Sequence, residues 1–196
     1  KMNSQEIFNL INKFDWSKLN KIYGCAHSSI IGFFCYEWLS ISDDNSVLDG
    51  APSPIIGKEN GRKGQKNSDL LLCKNSKPFI PIEVETDVKK YISKFETLVD
   101  YINNFESIEF GILYMTNLTN GAAKYKHNWD DLKKKVYENK YPMVLISSEK
   151  NKINFESQSK WSELLKRNDY SPWEIVNIDC YVYDTTCCIV KNIWKK

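Results

Sequence analysis

The stretch from Phe79 to Thr116 constrains this chain's fold more than any other. It opens with a strand-like run, Phe79 to Thr86, in which Ile80, Ile82 and Val84 alternate with Pro81, Glu83 and Glu85. Pro81 lies near the start of that run, where a strand tolerates proline best. From Asp87 to Phe105 the period changes. Val88, Tyr91, Ile92, Phe95, Leu98, Val99, Ile102 and Phe105 follow the i, i+3, i+4, i+7 spacing of an amphipathic helix. Phe110 to Thr116 is again a short apolar run, expected to be a strand. A strand, a helix and a second strand in this order favour a parallel, right-handed crossover. The fold class expected is therefore α/β, a mixed sheet flanked by helices.

The flanks extend this frame. Ser4 to Phe14 has helical spacing, and Ala26 to Ile41 is a second helix, apolar nearly all round and so expected to be buried. Asp43 to Gln65 is dense in glycine, proline and aspartate and reads as a loop or a short hairpin. Ser68 to Lys74 reads as a strand, and the turn Asn75-Ser76-Lys77-Pro78 should fold it against the Phe79 strand as a hairpin. Further on come a helix (Trp129 to Tyr137), a strand (Pro142 to Ser147), a short helix (Trp161 to Lys166) and two strand-like runs (Glu174 to Val182, Thr186 to Ile193). A length of 196 residues without repeat or linker suits one domain.

Composition removes several classes of function. No apolar run approaches the roughly 18 residues of a membrane span. The first ten residues lack a signal-peptide core, so an intracellular, cytoplasmic location is expected. Six cysteines without a C-x-x-C pair, alongside two histidines, argue against a zinc cluster and for reduced thiols. The net charge of +2 provides no global attraction to nucleic acid. Any such binding must come from a local cluster.

The chemistry concentrates in Ile82-Glu83-Val84-Glu85-Thr86. Residues i and i+2 of a strand share a face, so Glu83 and Glu85 project side by side. Two carboxylates on an otherwise apolar strand repel each other. A divalent cation relieves that repulsion, and solvent-facing acids matched by lysines are the plainer alternative. Asp69 lies at the start of the preceding strand, where a hairpin would bring it beside Glu83, although an aspartate there also serves as a turn residue. A fourth acid, Glu37, shares a helix face with Ile30, Phe33, Phe34 and Ile41. It needs a cation, a lysine or a backbone donor, because burying it alone is costly.

Asp69, thirteen intervening residues, Glu83-Val84-Glu85 and then an amphipathic helix resemble the motif of the PD-(D/E)XK nuclease superfamily. The resemblance covers about residues 26–147 and leaves about 148–196 as a C-terminal elaboration. It implies a restriction-endonuclease-like αβββαβ core and a metal-dependent nuclease, restriction-like or repair-like, cutting DNA in preference to RNA. It also implies Mg²⁺, replaceable by Mn²⁺, held by Asp69, Glu83 and Glu85, with Glu37 as the acid of the first core helix. A homodimer is the assembly that double-strand cutting implies. Glu85 stands where the family usually has lysine, so a nuclease-fold module that binds nucleic acid or protein without cutting is the alternative.

Helical arithmetic locates a substitute lysine. Glu83 lies about 13 Å before the strand end at roughly 3.3 Å per residue. Lys94 lies about 10 Å into a helix that doubles back at roughly 1.5 Å per residue. Lys94 should therefore return to the level of Glu83 beside the apolar stripe, where a lysine can bury its stem. It is the expected catalytic lysine, and Lys90, a turn earlier, faces more to solvent. Arg62, Lys63 and Lys66, set among glycines just before Asp69, and Lys90 are the expected phosphate contacts. His27 starts the second helix and could approach the metal, but reads more simply as a helix-start residue. Lys133, Lys134 and Lys135 read as a solvated helix face. The aromatics Tyr170, Trp173, Tyr181, Tyr183 and Trp194 could stack on bases, but read more simply as core or dimer interface.

Overall fold

The computed structural model describes residues 1–21, 26–50, 67–87, 89–116, 123–150 and 175–190. Four helices are described: α1 (Ser4–Ile11), α2 (Ala26–Ile41), α3 (Tyr91–Asn104) and α4 (Ala123–Asn139). A 3-10 helix spans Trp16–Lys21. Seven strands form one sheet in chain order: β1 (Asn45–Asp49), β2 (Leu70–Lys74), β3 (Lys77–Glu85), β4 (Gly111–Thr116), β5 (Met143–Lys150), β6 (Ile175–Val182) and β7 (Thr185–Val190). The pairs β3–β4 and β4–β5 are parallel and the other four antiparallel, so the sheet is mixed, as expected.

Local chemistry explains the elements. In α1 the Asn3 side chain accepts from the Glu6 N–H while Glu6 accepts from the Asn3 N–H, a reciprocal cap that satisfies two otherwise open donors. This helix ends at Ile11, short of the expected Phe14, and Phe14 instead enters an aromatic cluster with Trp16, Phe33 and Phe34. Asn75 and Ser76 both hold positive φ, the two-residue turn whose twist matches a hairpin, and Lys74 pairs with Lys77 across it. The segment expected as loop or short hairpin contributes a strand, β1, paired along β2. At Gly111 an added Cβ would meet Leu98 at 3.4 Å, so glycine lets α3 lie close on β4.

The sheet separates two cores. Ile80, Ile82 and Val84 of β3 join Ile112 and Tyr114 of β4, Val144 and Ile146 of β5, and the packed faces of α1 and α2. The other face carries Leu71, Leu113, Met115 and Leu145 against Tyr91, Phe95, Leu98 and Tyr101 of α3 and Trp129, Leu132 and Val136 of α4. Glu83 and Glu85 point to this second side, towards α3, because they alternate with the residues of the first core. Tyr181 and Tyr183 pack there too, as core rather than as exposed platforms. The expected helix at 161–166 and the aromatics Tyr170, Trp173 and Trp194 lie outside the described residues. Among those described, no helix is long and apolar enough to cross a membrane.

Candidate metal centre

Antiparallel pairing of β2 with β3 sets Leu70 opposite Ile82. One step further, Asp69 comes opposite Glu83 on the face that carries Leu71. Directly opposed residues of such a pair have Cβ atoms about 5 Å apart. Asp69 Oδ2 accepts a hydrogen bond from the Val84 N–H at 2.9 Å, which fixes the carboxylate beside β3. From above, α3 brings Lys94 down between the two acids. Its Nζ donates to Glu83 Oε2 at 2.6 Å and to Asp69 Oδ1 and Oδ2 at 3.0 and 3.1 Å. Three residues from two strands and a helix thus meet, and the helix does return Lys94 to the level of Glu83.

Their electrostatics are uneven. Glu83 has no solvent exposure, and its Oε1 is buried without a hydrogen-bond donor. Burial, and after it the charge of Asp69, push its carboxyl up to about 9 against the pull of Lys94. Asp69 goes the other way. Burial opposes its charge, but hydrogen bonds from Glu83, the Val84 N–H and Lys94 hold it below its ordinary value. Of the two acids, Glu83 keeps the proton and Asp69 carries the charge. Burial also works to lower the Lys94 ammonium, yet its bonds to Glu83 and Asp69 leave it raised.

Two neighbours complete the surroundings. His27, at the start of α2, sets Nε2 3.4 Å from Asp69 Oδ2 and is 40% exposed. It is a helix-start residue, and it also stands at the site. Tyr101, seven residues after Lys94 on α3, is buried with its hydroxyl 3.4 Å from Ser68 Oγ. Burial, with the Glu83 charge adding to it, raises its phenol. Its heptad spacing from Lys94 is the signal that marks Tyr101 in the sequence.

Two expected members stand apart. Glu85 is the last residue of β3, and its Oε1 accepts from the N–H groups of Thr86 and Asp87 at 2.8 and 2.7 Å. The strand ends there, so this carboxylate caps the turn into α3 instead of converging on the other two. Glu37 is buried elsewhere. Its Oε1 accepts from Lys18 Nζ and its Oε2 from the Asp15 N–H, both at 2.7 Å. It follows His27 by ten residues on α2, about 15 Å along the axis. Glu37 therefore anchors the segment before α2 and does not join Asp69 and Glu83. Lys90 is the exposed residue before α3. Arg62, Lys63 and Lys66 lie outside the described residues.

Among the described residues, no three His, Cys, Asp or Glu side chains stand close enough to hold a metal ion. Mg²⁺, however, is commonly bound by one or two carboxylates, with waters and substrate phosphate oxygens completing its shell. Asp69 and Glu83 meet that smaller requirement, and the buried Glu83 Oε1 is an acceptor still without a donor. They are carboxylates of the kind such an ion uses, with the Lys94 ammonium lodged between them. Comparisons with protein-family models, characterised proteins and solved structures found no match.

Proposed function

We propose that this chain is a metal-dependent nuclease of the restriction-endonuclease-like type, hydrolysing phosphodiester bonds in DNA in preference to RNA. The meeting of Asp69, Glu83 and Lys94 carries this reading. Two acids on neighbouring strands and a lysine from the following helix form a charge-balanced group that uses no arginine and leaves one buried oxygen without a donor. The succession α2, β1, β2, β3, α3, β4 supports it, being the αβββαβ order of the resembled core.

Asp69 and Glu83 would hold the Mg²⁺ or Mn²⁺ ion, which when bound lowers the pKa of a water and stabilises charge on the phosphate. Glu83 must release its proton to do so. Lys94 would position the attacking water or neutralise charge developing on the phosphate, work that needs a cation already held in place. Tyr101 and Ser68 back the acids from the buried side. Arg62, Lys63, Lys66 and Lys90 are the proposed phosphate contacts, and a homodimer would cut both strands.

One observation favours a second reading, a nucleic-acid-binding or protein-binding module that does not cut. Lys94 already balances Asp69, and Glu85 is taken up by its own turn. Calorimetric titration with Mn²⁺ and Mg²⁺, followed by incubation with supercoiled plasmid and with single-stranded RNA, separates the two. The nuclease reading expects metal binding and nicking of the plasmid, both abolished by a chelator. Metal binding without cleavage of either substrate selects the module. Absence of metal binding rejects the nuclease.

A further inference from the structure

On the opposite face of the sheet a cleft of about 550 Å³ opens between α1, the end of α2 and the β2–β3 hairpin. Lys74 in its wall is five residues along β2 from Asp69, roughly 17 Å away at about 3.3 Å per residue. The volume falls within the ordinary range of small-molecule sites. Leu10, Trp38 and Phe79 form its apolar side, and Phe79 stacks on Trp38 with ring centroids 5.6 Å apart.

The two acids and two lysines of this cleft are not paired with one another. Its two acids are engaged: Glu6 accepts from the Asn3 N–H and Glu109 from the Met2 N–H, each at 2.7 Å. Its two lysines have no acidic partner among the described residues, and Lys74 rests 5.5 Å over the Phe79 ring. Asn45 is 8% exposed and gives its Nδ2 to the Trp38 carbonyl at 2.8 Å. That bond settles which end is oxygen, and Oδ1 is left buried without a donor. The cleft thus combines an aromatic wall, two unpaired cations and one acceptor awaiting an N–H.

We infer that this cleft is a second ligand site, for a small anion with a planar aromatic body and an N–H donor. The aromatic body takes the place of Lys74 on the Phe79 ring, the anionic group lies between Lys13 and the displaced Lys74, and a turn of the Asn45 side chain opens Oδ1 to the N–H. Mononucleotides and aromatic carboxylates share that chemistry. The site is independent of the proposed nuclease centre.

Titration of the full chain with adenosine 5′-monophosphate and, separately, with indole-3-acetate tests it, followed by calorimetry and by amide NMR. Expected is one-to-one binding of at least one probe, with shifts at the Asn45 side-chain amide and the Trp38 indole N–H. Lys13→Glu and Lys74→Glu, both at exposed positions, should each weaken it about tenfold, the scale of a lost charge-assisted contact. Asp69→Ala should leave it unchanged. Binding of the nucleotide alone or the carboxylate alone identifies the source of the anion and supports the site. Failure of both probes at millimolar concentration overturns the inference. So does binding that Lys13→Glu and Lys74→Glu leave intact, or that Asp69→Ala abolishes.

Discussion

Glu37 and Glu83 are both buried glutamates held by a lysine, one on each side of the sheet, and they differ in what is left over. At Glu37 every carboxylate oxygen has a donor, Lys18 on one and the Asp15 N–H on the other. At Glu83, Lys94 serves one oxygen, the other has no donor, and a second acid stands beside it. A satisfied buried acid ties two segments together and has nothing further to bind. An acid with an open oxygen, a neighbouring carboxylate and a carboxyl pushed up to about 9 costs stability in the folded chain. Groups arranged for a ligand often carry such strain, and the ligand proposed for this one is a cation.

Experiments can break or sharpen that contrast. Catalysis should separate the two acids most. Asp69→Ala and Glu83→Gln are expected to lower Mg²⁺-dependent plasmid nicking at least about 10³-fold, the rate equivalent of several kcal/mol of lost charge stabilisation. Glu37→Gln should nick at nearly the parental rate, once corrected for folded fraction. Equal losses at Glu37 and Glu83 would erase the distinction. Next comes Lys94→Gln, expected to lose about 10²-fold in rate while metal binding persists, as when one transition-state donor is removed. An unchanged rate would remove Lys94 from the chemistry.

Stability should invert the order. Glu37→Gln turns an amide N–H₂ towards the Lys18 ammonium and is expected to cost about 1–2 kcal/mol in urea unfolding, the scale of a buried polar group that loses its partner. Glu83→Gln, which matches the protonated acid in shape, should be neutral or stabilising. The same contrast appears as a pH effect on the metal-free protein. The Glu83 carboxyl lies above its unfolded value of 4.5 when folded. The folded state therefore keeps a proton the unfolded state has lost. Its contribution is complete below about pH 4.5 and disappears as pH rises towards 9, by at most about 1.4 kcal/mol per pH unit. Unfolding curves of parent and Glu83→Gln in chelator across this window should show that slope only in the parent. Smallest is Lys90→Ala, which removes one exposed phosphate contact and is expected to raise the plasmid concentration needed for half-maximal nicking about threefold, an effect that fades as salt rises.

Much of this was legible in the residues themselves. The alternation of Ile80, Ile82 and Val84 with Glu83 assigns that glutamate's side of the sheet without coordinates, and the helical stripe from Tyr91 to Ile102 sets where Lys94 points. Rise per residue alone returns Lys94 to the level of Glu83, as its 2.6 Å contact now shows. Those inferences succeed because strand and helix periods are properties of the backbone, carried by every residue in the element. The turn-rich stretch after α2 hid β1, because a short strand among glycines and prolines has too few residues to display its period.

What only the tertiary structure decided is which charged groups find one another. Glu85 shares a face with Glu83, but β3 ends at that residue and the amides of the turn claim it. Glu37 resembles a site acid on its helix, but the segment before α2 folds Lys18 and the Asp15 N–H onto it. His27 looks like an ordinary helix start until the packing of α2 places it 3.4 Å from Asp69. A partner is selected by register and by contacts between elements distant in the chain, and no local spacing encodes either. Sequence therefore determined the faces and the reach of these side chains, and packing determined which of their charges were neutralised and which oxygen was left open.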